Sequence, residues 1–257
     1  MLDNLMKFKP LLTELVIKDI KIRYRKSILG VFWTLLNPLL MMIVLSVVFS
    51  NLFKFDVDNY PVYILTGQLV FTFFSESTSN AMSSILLNAP LIKKIYVPKY
   101  MFTFSSILSS MINVMASYAA LIVVMLFMRM ELHYTIFLSF IPVVALSIFA
   151  TGIGLILAAV VVKFRDIMHF YSVFLTALMY LIPVIYPMKI LEGKDWIYSI
   201  VKYNPLTMML EMFRNFVMDG TIPGWEMFAI TFGVAILVLI LGLWVFRKRQ
   251  DTFILDI

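Results

Sequence analysis

One acidic residue lies well inside a long apolar stretch, and it has polar company. Glu76 stands one helical turn before Asn80, within the run SESTSNAMSS at 75–84 that also supplies Ser75, Thr78, Ser79, Ser83 and Ser84. An ionisable side chain at bilayer depth costs about 3 kcal/mol or more unless it faces a wet cavity or a partner. A hydrated interior face would meet that cost, with the hydroxyls and amides turned toward water. Tyr63, Phe71, Phe73 and Phe74, just upstream in the same stretch, add flat apolar surfaces. Small polar residues also glue membrane helices together, so the patch reads either as the lining of a conduit or as helix packing.

Other chemistries find no residues. The nine glycines form no GxxxxGK[ST] run, so the chain has no loop to cradle ATP phosphates. Cysteine is absent, which excludes disulfides, thiolate metal sites and cysteine nucleophiles. His133 and His169 have no carboxylate at metal-ligand spacing, so no metal site is expected. The clustered carboxylates of a membrane glycosyltransferase or a proton-coupled carrier are missing as well. The expectation is a chain that breaks no bond itself.

The elements that position these residues are membrane helices. The 257 residues are 62% hydrophobic and 14% charged, with a mean hydropathy of +0.95, against about half apolar and a quarter charged in a soluble domain. A crossing helix needs about 20 apolar residues. Six stretches qualify: 34–53, 62–85, 102–128, 135–162, 170–187 and 226–246. No cleavable signal is expected, because Asp3, Lys7, Lys9, Glu14 and Lys18 interrupt the first apolar run. Six spans place both termini on one side. With the N-terminus inside, the cytoplasmic face holds 15 of the 21 Lys and Arg residues; Lys54, Arg129, Lys189, Lys194, Lys202 and Arg214 remain outside. Basic residues favour the cytoplasm in this way. The net charge of +6 therefore reflects topology, and a nucleic-acid partner is not expected.

Two segments outside the spans are half apolar. In residues 11–30, Leu12, Val16, Ile20, Tyr24 and Ile28 recur every four positions, while Glu14, Lys18, Lys21 and Arg25 take another face. This spacing predicts an amphipathic interface helix, its cations near lipid headgroups. Gly30 then lets the chain turn upward at Trp33. Between the second and third spans, LLNAPLIKKIYVPKYMF (86–102) alternates apolar and basic residues. A solvated loop has no use for this many apolar side chains. One that docks on a protein or lies on a membrane does.

The outer loop, 188–224, is too polar to span. WIYSIV (196–201) and LTMMLEMF (206–213) nevertheless predict two short amphipathic helices parted by Asn204 and Pro205, either re-entrant or on the surface. Thr151, Gly152 and Gly154 in the fourth span read as close helix packing.

The ordered set DIKIRYRKSILGVFW (19–33), NPLL (37–40), TGQLVFTFFSESTSNAMSS (66–84), NAPLIKKIYVPKY (88–100), KFRDI (163–167), PVIYP (183–187) and YNPL (203–206) resembles ABC-2 type permeases. The nearest branch exports bacterial O-antigen, teichoic acid or capsule-type polymers, and the resemblance covers nearly the whole chain. It implies an all-α, six-span domain, as a homodimer, in the bacterial inner membrane with both termini cytoplasmic. Two copies of a separate ATPase would carry the ATP and Mg and drive a lipid-linked glycan outward. The elbow 88–100 would be the coupling helix. Asn88 and Pro90 start it, Leu91, Ile92, Ile95 and Tyr96 provide apolar contact, Lys93 and Lys94 meet an acidic rim, and Pro98 ends it. Asp19, Arg23, Tyr24, Arg25, Lys26, Ser27 and Gly30 match the family's interface helix, whose cations meet either the substrate's pyrophosphate or lipid headgroups. Pro183, Tyr186, Pro187, Trp196, Asn204, Pro205 and Phe213 fall on its external gate. An exporter of drugs or small lipids is the near rival, and a polyprenyl-phosphate sugar transferase the distant one.

Overall fold

The computed structural model describes residues 8–24, 30–53, 57–193 and 195–253, and among them every regular element is helical. Helix α1, Lys9–Tyr24, is followed by a 3₁₀ turn at Gly30–Phe32 and by α2, Trp33–Phe53. Gly30 adopts φ +50°, a left-handed conformation that glycine takes at little cost, and this redirects the chain between the two helices. Next come α3 (Tyr60–Leu87), the one-turn α4 (Ala89–Ile92) and α5 (Tyr100–Phe127). A 3₁₀ segment, Tyr134–Ser139, leads into α6, Phe140–Val161. Helix α7 is Ile167–Leu181, and the segment after it contains α8 (Asp195–Lys202) and α9 (Pro205–Val217). Helix α10, Trp225–Arg249, completes the order.

Three stretches, Tyr100–Phe127, Tyr134–Val161 and Trp225–Arg249, are long and apolar enough to cross a membrane, while Trp33–Phe49 and Ile167–Leu181 are apolar but shorter. Helix α3 has the length, since 28 residues rise about 42 Å. Its polar run makes it less apolar than the other long helices. Helix α7 stops at Leu181, although the apolar stretch continues to 187. Pro183 is the cause: it disfavours helical torsions in the residue before it, and Ile182 is extended at φ −80°, ψ 148°.

Helices α3, α5 and α6 form the centre of the bundle. Phe73, Leu121, Met125, Leu146 and Ala150 are buried there in one apolar cluster with Leu210 and Phe213 of α9. A second cluster joins Leu15, Ile85, Ile92, Phe102, Leu155, Phe246 and Phe253. Helix α1, the α4 elbow and the last described residues therefore share one end of the bundle. Helix α1 packs along α5 with Leu15 at its centre and Leu11, Leu12, Val16, Asp19 and Ile20 half-buried on the same side. The expected stripe had left out Leu15 and Asp19. Their side chains face protein, and a protein neighbour can accept a carboxylate where lipid would not.

Glycines permit the closest approach. A Cβ at Gly242 of α10 would stand 2.3 Å from the Gly152 carbonyl oxygen of α6, and one at Gly152 would stand 2.5 Å from that of Val238. A Cβ at Gly154 would meet the Ala81 methyl of α3 at 2.6 Å. Small residues let membrane helices pack backbone to backbone in this way. Gly242→Val should cost roughly 1–3 kcal/mol by overpacking and lower the unfolding temperature of the detergent-solubilised chain. Gly233→Ala, which meets nothing within 4 Å, should leave that temperature unchanged or raised. Equal melting of the two variants would contradict this packing.

Candidate functional site

Helix α3 turns one polar stripe toward its neighbours. Gln68, Thr72, Ser75 and Glu76 recur at spacings of three and four and line a cavity of about 570 Å³. Across from them stand Ser110, Asn113 and Ser117 of α5, which share that spacing, and Trp33, Asn37, Pro38 and Met41 of α2. Arg23, at the end of α1, closes one side. Pro38 lies inside α2 and has no N–H to offer the preceding turn, so this wall of the cavity is a loosened stretch of helix.

Glu76 is the electrostatic centre. Its Oε2 accepts from Arg23 Nη1 at 2.9 Å and from Asn113 Nδ2 at 3.4 Å. Both members of the ion pair are about a third exposed, 33% and 39%, so solvent screens the attraction and the pair adds little stability. What it does is hold the end of α1 against the cavity wall. Gln68 is different: it is only 7% exposed, and its Oε1 accepts no hydrogen bond from any described residue.

Of the expected lining residues, Phe71, Phe73 and Glu76 border the cavity. Phe74 instead stacks on Phe149 in the core at 5.8 Å, and Asn80 donates to Ser110 Oγ at 3.3 Å beyond the cavity wall. Tyr63 belongs to the far end of α3. Gln68, Asn37 and Asn113 went unrecognised; extending the Glu76 stripe back by two turns would have found Gln68, whereas Asn37 and Asn113 join it only through tertiary packing.

In α1, Asp19 is half-buried, and burial raises its carboxyl above the ordinary value against the opposing effects of Lys18, Ser109 and Arg23. Tyr24 is the last helical residue, and Arg25, Lys26 and Ser27 lie outside the described residues. The elbow is tied to α1, since Lys18 Nζ donates to Asn88 Oδ1 at 2.6 Å while Asn88 Nδ2 donates to the Ser84 carbonyl at 2.8 Å. Pro90 sits in the first turn of α4, but α4 already ends at Ile92, so Pro98 does not end it; Pro98 lies in the non-helical stretch two residues before α5. Leu91 is half-buried and Ile92 is buried in the chain's own core, so Ile92 is not available to a docking partner. Lys93, Lys94, Ile95 and Tyr96 are exposed, Tyr96 completely. The sequence pattern could not separate the anchoring isoleucine from the presented one, because a single helical turn has no clear inner face. Lys99 bonds the Gln250 carbonyl and lies over the Phe253 ring, which fastens the end of α10 beside the elbow.

At the opposite end, the non-helical segment after α7 is held by Arg214 of α9. Arg214 is 7% exposed, and its guanidinium donates to the carbonyls of Pro183 (2.8 Å), Val184 (3.2 Å) and Tyr63 (3.1 Å) and to Thr66 Oγ1 (3.3 Å). It also stacks 3.5 Å from the Tyr63 ring centroid. Tyr63 Oη donates to the Tyr186 carbonyl and Tyr186 Oη to that of Leu181. Pro187 leads into a 3₁₀ turn, Met188–Leu191. Asn204 caps α9 by accepting from the Leu206 N–H, with Pro205 first in the helix. Phe213 is buried edge-on against Tyr118, while Trp196 is 71% exposed. The sequence marks Arg214 only as one outer cation; its role depends on carbonyls freed by Pro183, more than 30 residues away. Among the described residues no group of acids and histidines is placed to hold a metal.

The family model described as ABC-2 type transporter matches residues 10–218. The O-antigen export system permease protein RfbA of Klebsiella pneumoniae is 29% identical over 246 residues, 95% of this chain and 93% of its own length. Its namesake in Myxococcus xanthus is 26% identical over 97% of this chain and 96% of its own length. The polysialic acid transport protein KpsM of Escherichia coli is 25% identical over 93% of each.

Arg214→Met should leave the Pro183, Val184 and Tyr63 carbonyls without their donor. The expected cost is about 3 kcal/mol or more, read as a lower unfolding temperature in detergent. Arg214→Lys, with a point charge in place of the planar fork, should fall between. A methionine variant as stable as the parent chain would show that the guanidinium holds nothing.

Proposed function

We infer the function from one premise: the chain belongs to the ABC-2 type transporter family. It is the permease subunit of an ATP-driven exporter that moves a lipid-linked cell-surface polysaccharide across the bacterial inner membrane. The observation that carries this reading is the likeness, over more than nine-tenths of each chain, to permeases named for O-antigen and polysialic acid export. The cavity on α3 supports it. Hydroxyls and amides beside aromatic rings are what a glycan can slide along, and a passage must not hold any one unit tightly.

In this reading α2, α3, α5, α6, α7 and α10 are the six spans, both termini are cytoplasmic, and the outer helices α8 and α9 gate the exit. Two copies form the passage and two separate ATPase subunits drive it, with ATP and Mg bound on those subunits. The exposed Lys93, Lys94, Ile95 and Tyr96 form the surface each ATPase grips. Movement of the elbow passes to α1 through the Lys18–Asn88 bond and reaches the cavity through Arg23 and Glu76. Those two contacts lie at different points of one rigid helix, so a small rotation of the elbow is felt at the cavity wall.

The isoleucines of the elbow separate docking from folding. Ile95→Asp combined with Tyr96→Asp should abolish co-purification of the ATPase and surface display of the polysaccharide, with no change in the unfolding temperature. Ile92→Asp should lower that temperature, because it buries a carboxylate beside Phe102 and Phe246. Retention of the ATPase by the double variant would remove the elbow as the docking surface.

A further inference from the structure

Helix α10 ends at Arg249, and the chain then curls back on the bundle. The Thr252 and Phe253 N–H groups donate to the carbonyls of Arg249 (3.2 Å) and Gln250 (3.4 Å), and Thr252 Oγ1 donates to the Arg249 carbonyl at 2.9 Å. These turns leave Asp251 and Thr252 exposed, while Phe253 is only 1% exposed. Its ring stands edge-on to Phe246 at 5.3 Å, in the cluster that also holds Leu15 of α1, Ile92 of the elbow and Phe102 of α5. Lys99 supplies a second hold. Its ammonium donates to the Gln250 carbonyl and lies 5.6 Å from the centre of the Phe253 ring, a contact that strengthens as water is excluded. Residues 250–253 thus form a hook, caught by the residue that joins the elbow to α5.

The elbow runs from Asn88 to Lys99, and its two ends are fastened to different elements. Asn88 is held to α1 through Lys18, and Lys99 is held to α10 through Gln250 and Phe253. The exposed Lys93, Lys94, Ile95 and Tyr96 lie between the two fastenings. The elbow's helix, α4, has four residues, and so short a helix keeps its shape only through its attachments. Helix α10 in turn packs mainly along α6, where Gly152 and Gly242 bring the two backbones together. Through the hook, the far end of the elbow is tied to that pair of helices.

We propose that Phe253 and Lys99 are positioning residues for the coupling step: they clamp the far end of the elbow to α10, so that a push on Lys93 to Tyr96 reaches the α6–α10 pair as well as α1. The proposal rests on the ATP-driven reading and adds a second arm to its path.

The test uses the full chain with its ATPase, in the host for surface polysaccharide and as the purified complex for hydrolysis of MgATP. Phe253→Ala and Lys99→Met should each lower surface polysaccharide per folded chain by about fivefold or more, the lower end of ordinary coupling between sites. The ATPase should co-purify as before and hydrolyse MgATP at the parent rate, so that turnover continues without export. Lys99→Arg, which still donates and still lies over a ring, and Phe253→Leu, which refills most of the buried volume, should restore export. In the isolated chain, Lys99→Met should also speed hydrogen exchange at the elbow amides of Ile92, Lys93, Lys94 and Ile95, which bond carbonyls within the elbow, and leave α5 unchanged. Should Phe253→Ala fail to accumulate as folded chain, the Lys99 pair decides.

The clamp is overturned if Lys99→Met exports as the parent does, if export and hydrolysis fall together in proportion to lost folded chain, if Lys99→Arg does no better than Lys99→Met, or if elbow exchange is unchanged. A separate arm deletes the chain from its host. Surface polysaccharide that persists without it, or a parent chain that retains no ATPase, defeats the ATP-driven export reading. Loss on deletion, together with full export by Phe253→Ala and Lys99→Met, defeats the clamp alone.

Discussion

The structure depends on the polar side chains of α3 finding partners on other elements. In an apolar medium a hydroxyl or amide that does not bond a neighbour has no water to turn to. Along α3, Thr66 meets Arg214, Glu76 meets Arg23 and Asn113, Thr78 accepts from Tyr171, Asn80 reaches Ser110, Ser84 is hydrogen-bonded to Thr103, and Asn88 receives Lys18. Measured in membrane proteins, each such bond contributes about 0.6 kcal/mol, with a maximum near 2. Their number and their spread along one helix make α3 the spine to which α1, α5, α7 and α9 are fastened. The apolar clusters fill the spaces between. Gln68 Oε1 and Ser77 Oγ are the buried side-chain atoms of α3 left without such a partner among the described residues.

The two ends of α3 are finished differently. At the elbow end, Asn88 stops the helix and takes Lys18, while Ile92 anchors the following turn in the core. That leaves Lys93 to Tyr96 exposed on a firm base. At the other end, the carbonyls freed when α7 breaks before Pro183 are gathered by one guanidinium. Gly67 makes this approach possible, because a Cβ there would lie 2.7 Å from the Val184 carbonyl oxygen and 3.0 Å from Arg214. A buried arginine satisfied by carbonyl dipoles, rather than by a carboxylate, holds two backbone segments without bringing a second charge into an apolar setting.

Much of this was legible in the residues. Long apolar stretches located the helices, because a bilayer imposes length and composition on whatever crosses it. The Glu76 run marked the cavity stripe, Gly152 and Gly154 marked close packing, and the elbow's mixed character set it apart. What failed was the sorting of neighbours. Ile92 and Ile95 look interchangeable in the sequence, yet one is core and one is surface. Phe73 and Phe74 are adjacent and both aromatic, yet only Phe73 borders the cavity. On α1 the four-residue spacing passed over Leu15, because the packed side faces α5 and not lipid.

By itself the sequence determined that the chain is a helical membrane protein, which helix bears its ionisable polar face, and where proline and glycine would break or tighten the path. These properties are local: they follow from hydropathy, from helical periodicity and from the backbone limits of two residue types. Only the tertiary structure decided that Arg23 would answer Glu76 and that Arg214 would collect the carbonyls released by Pro183. The physical reason is that pairing between distant residues depends on how helices are rotated against one another. The packing of whole helix faces sets that rotation, and no short stretch of residues encodes it.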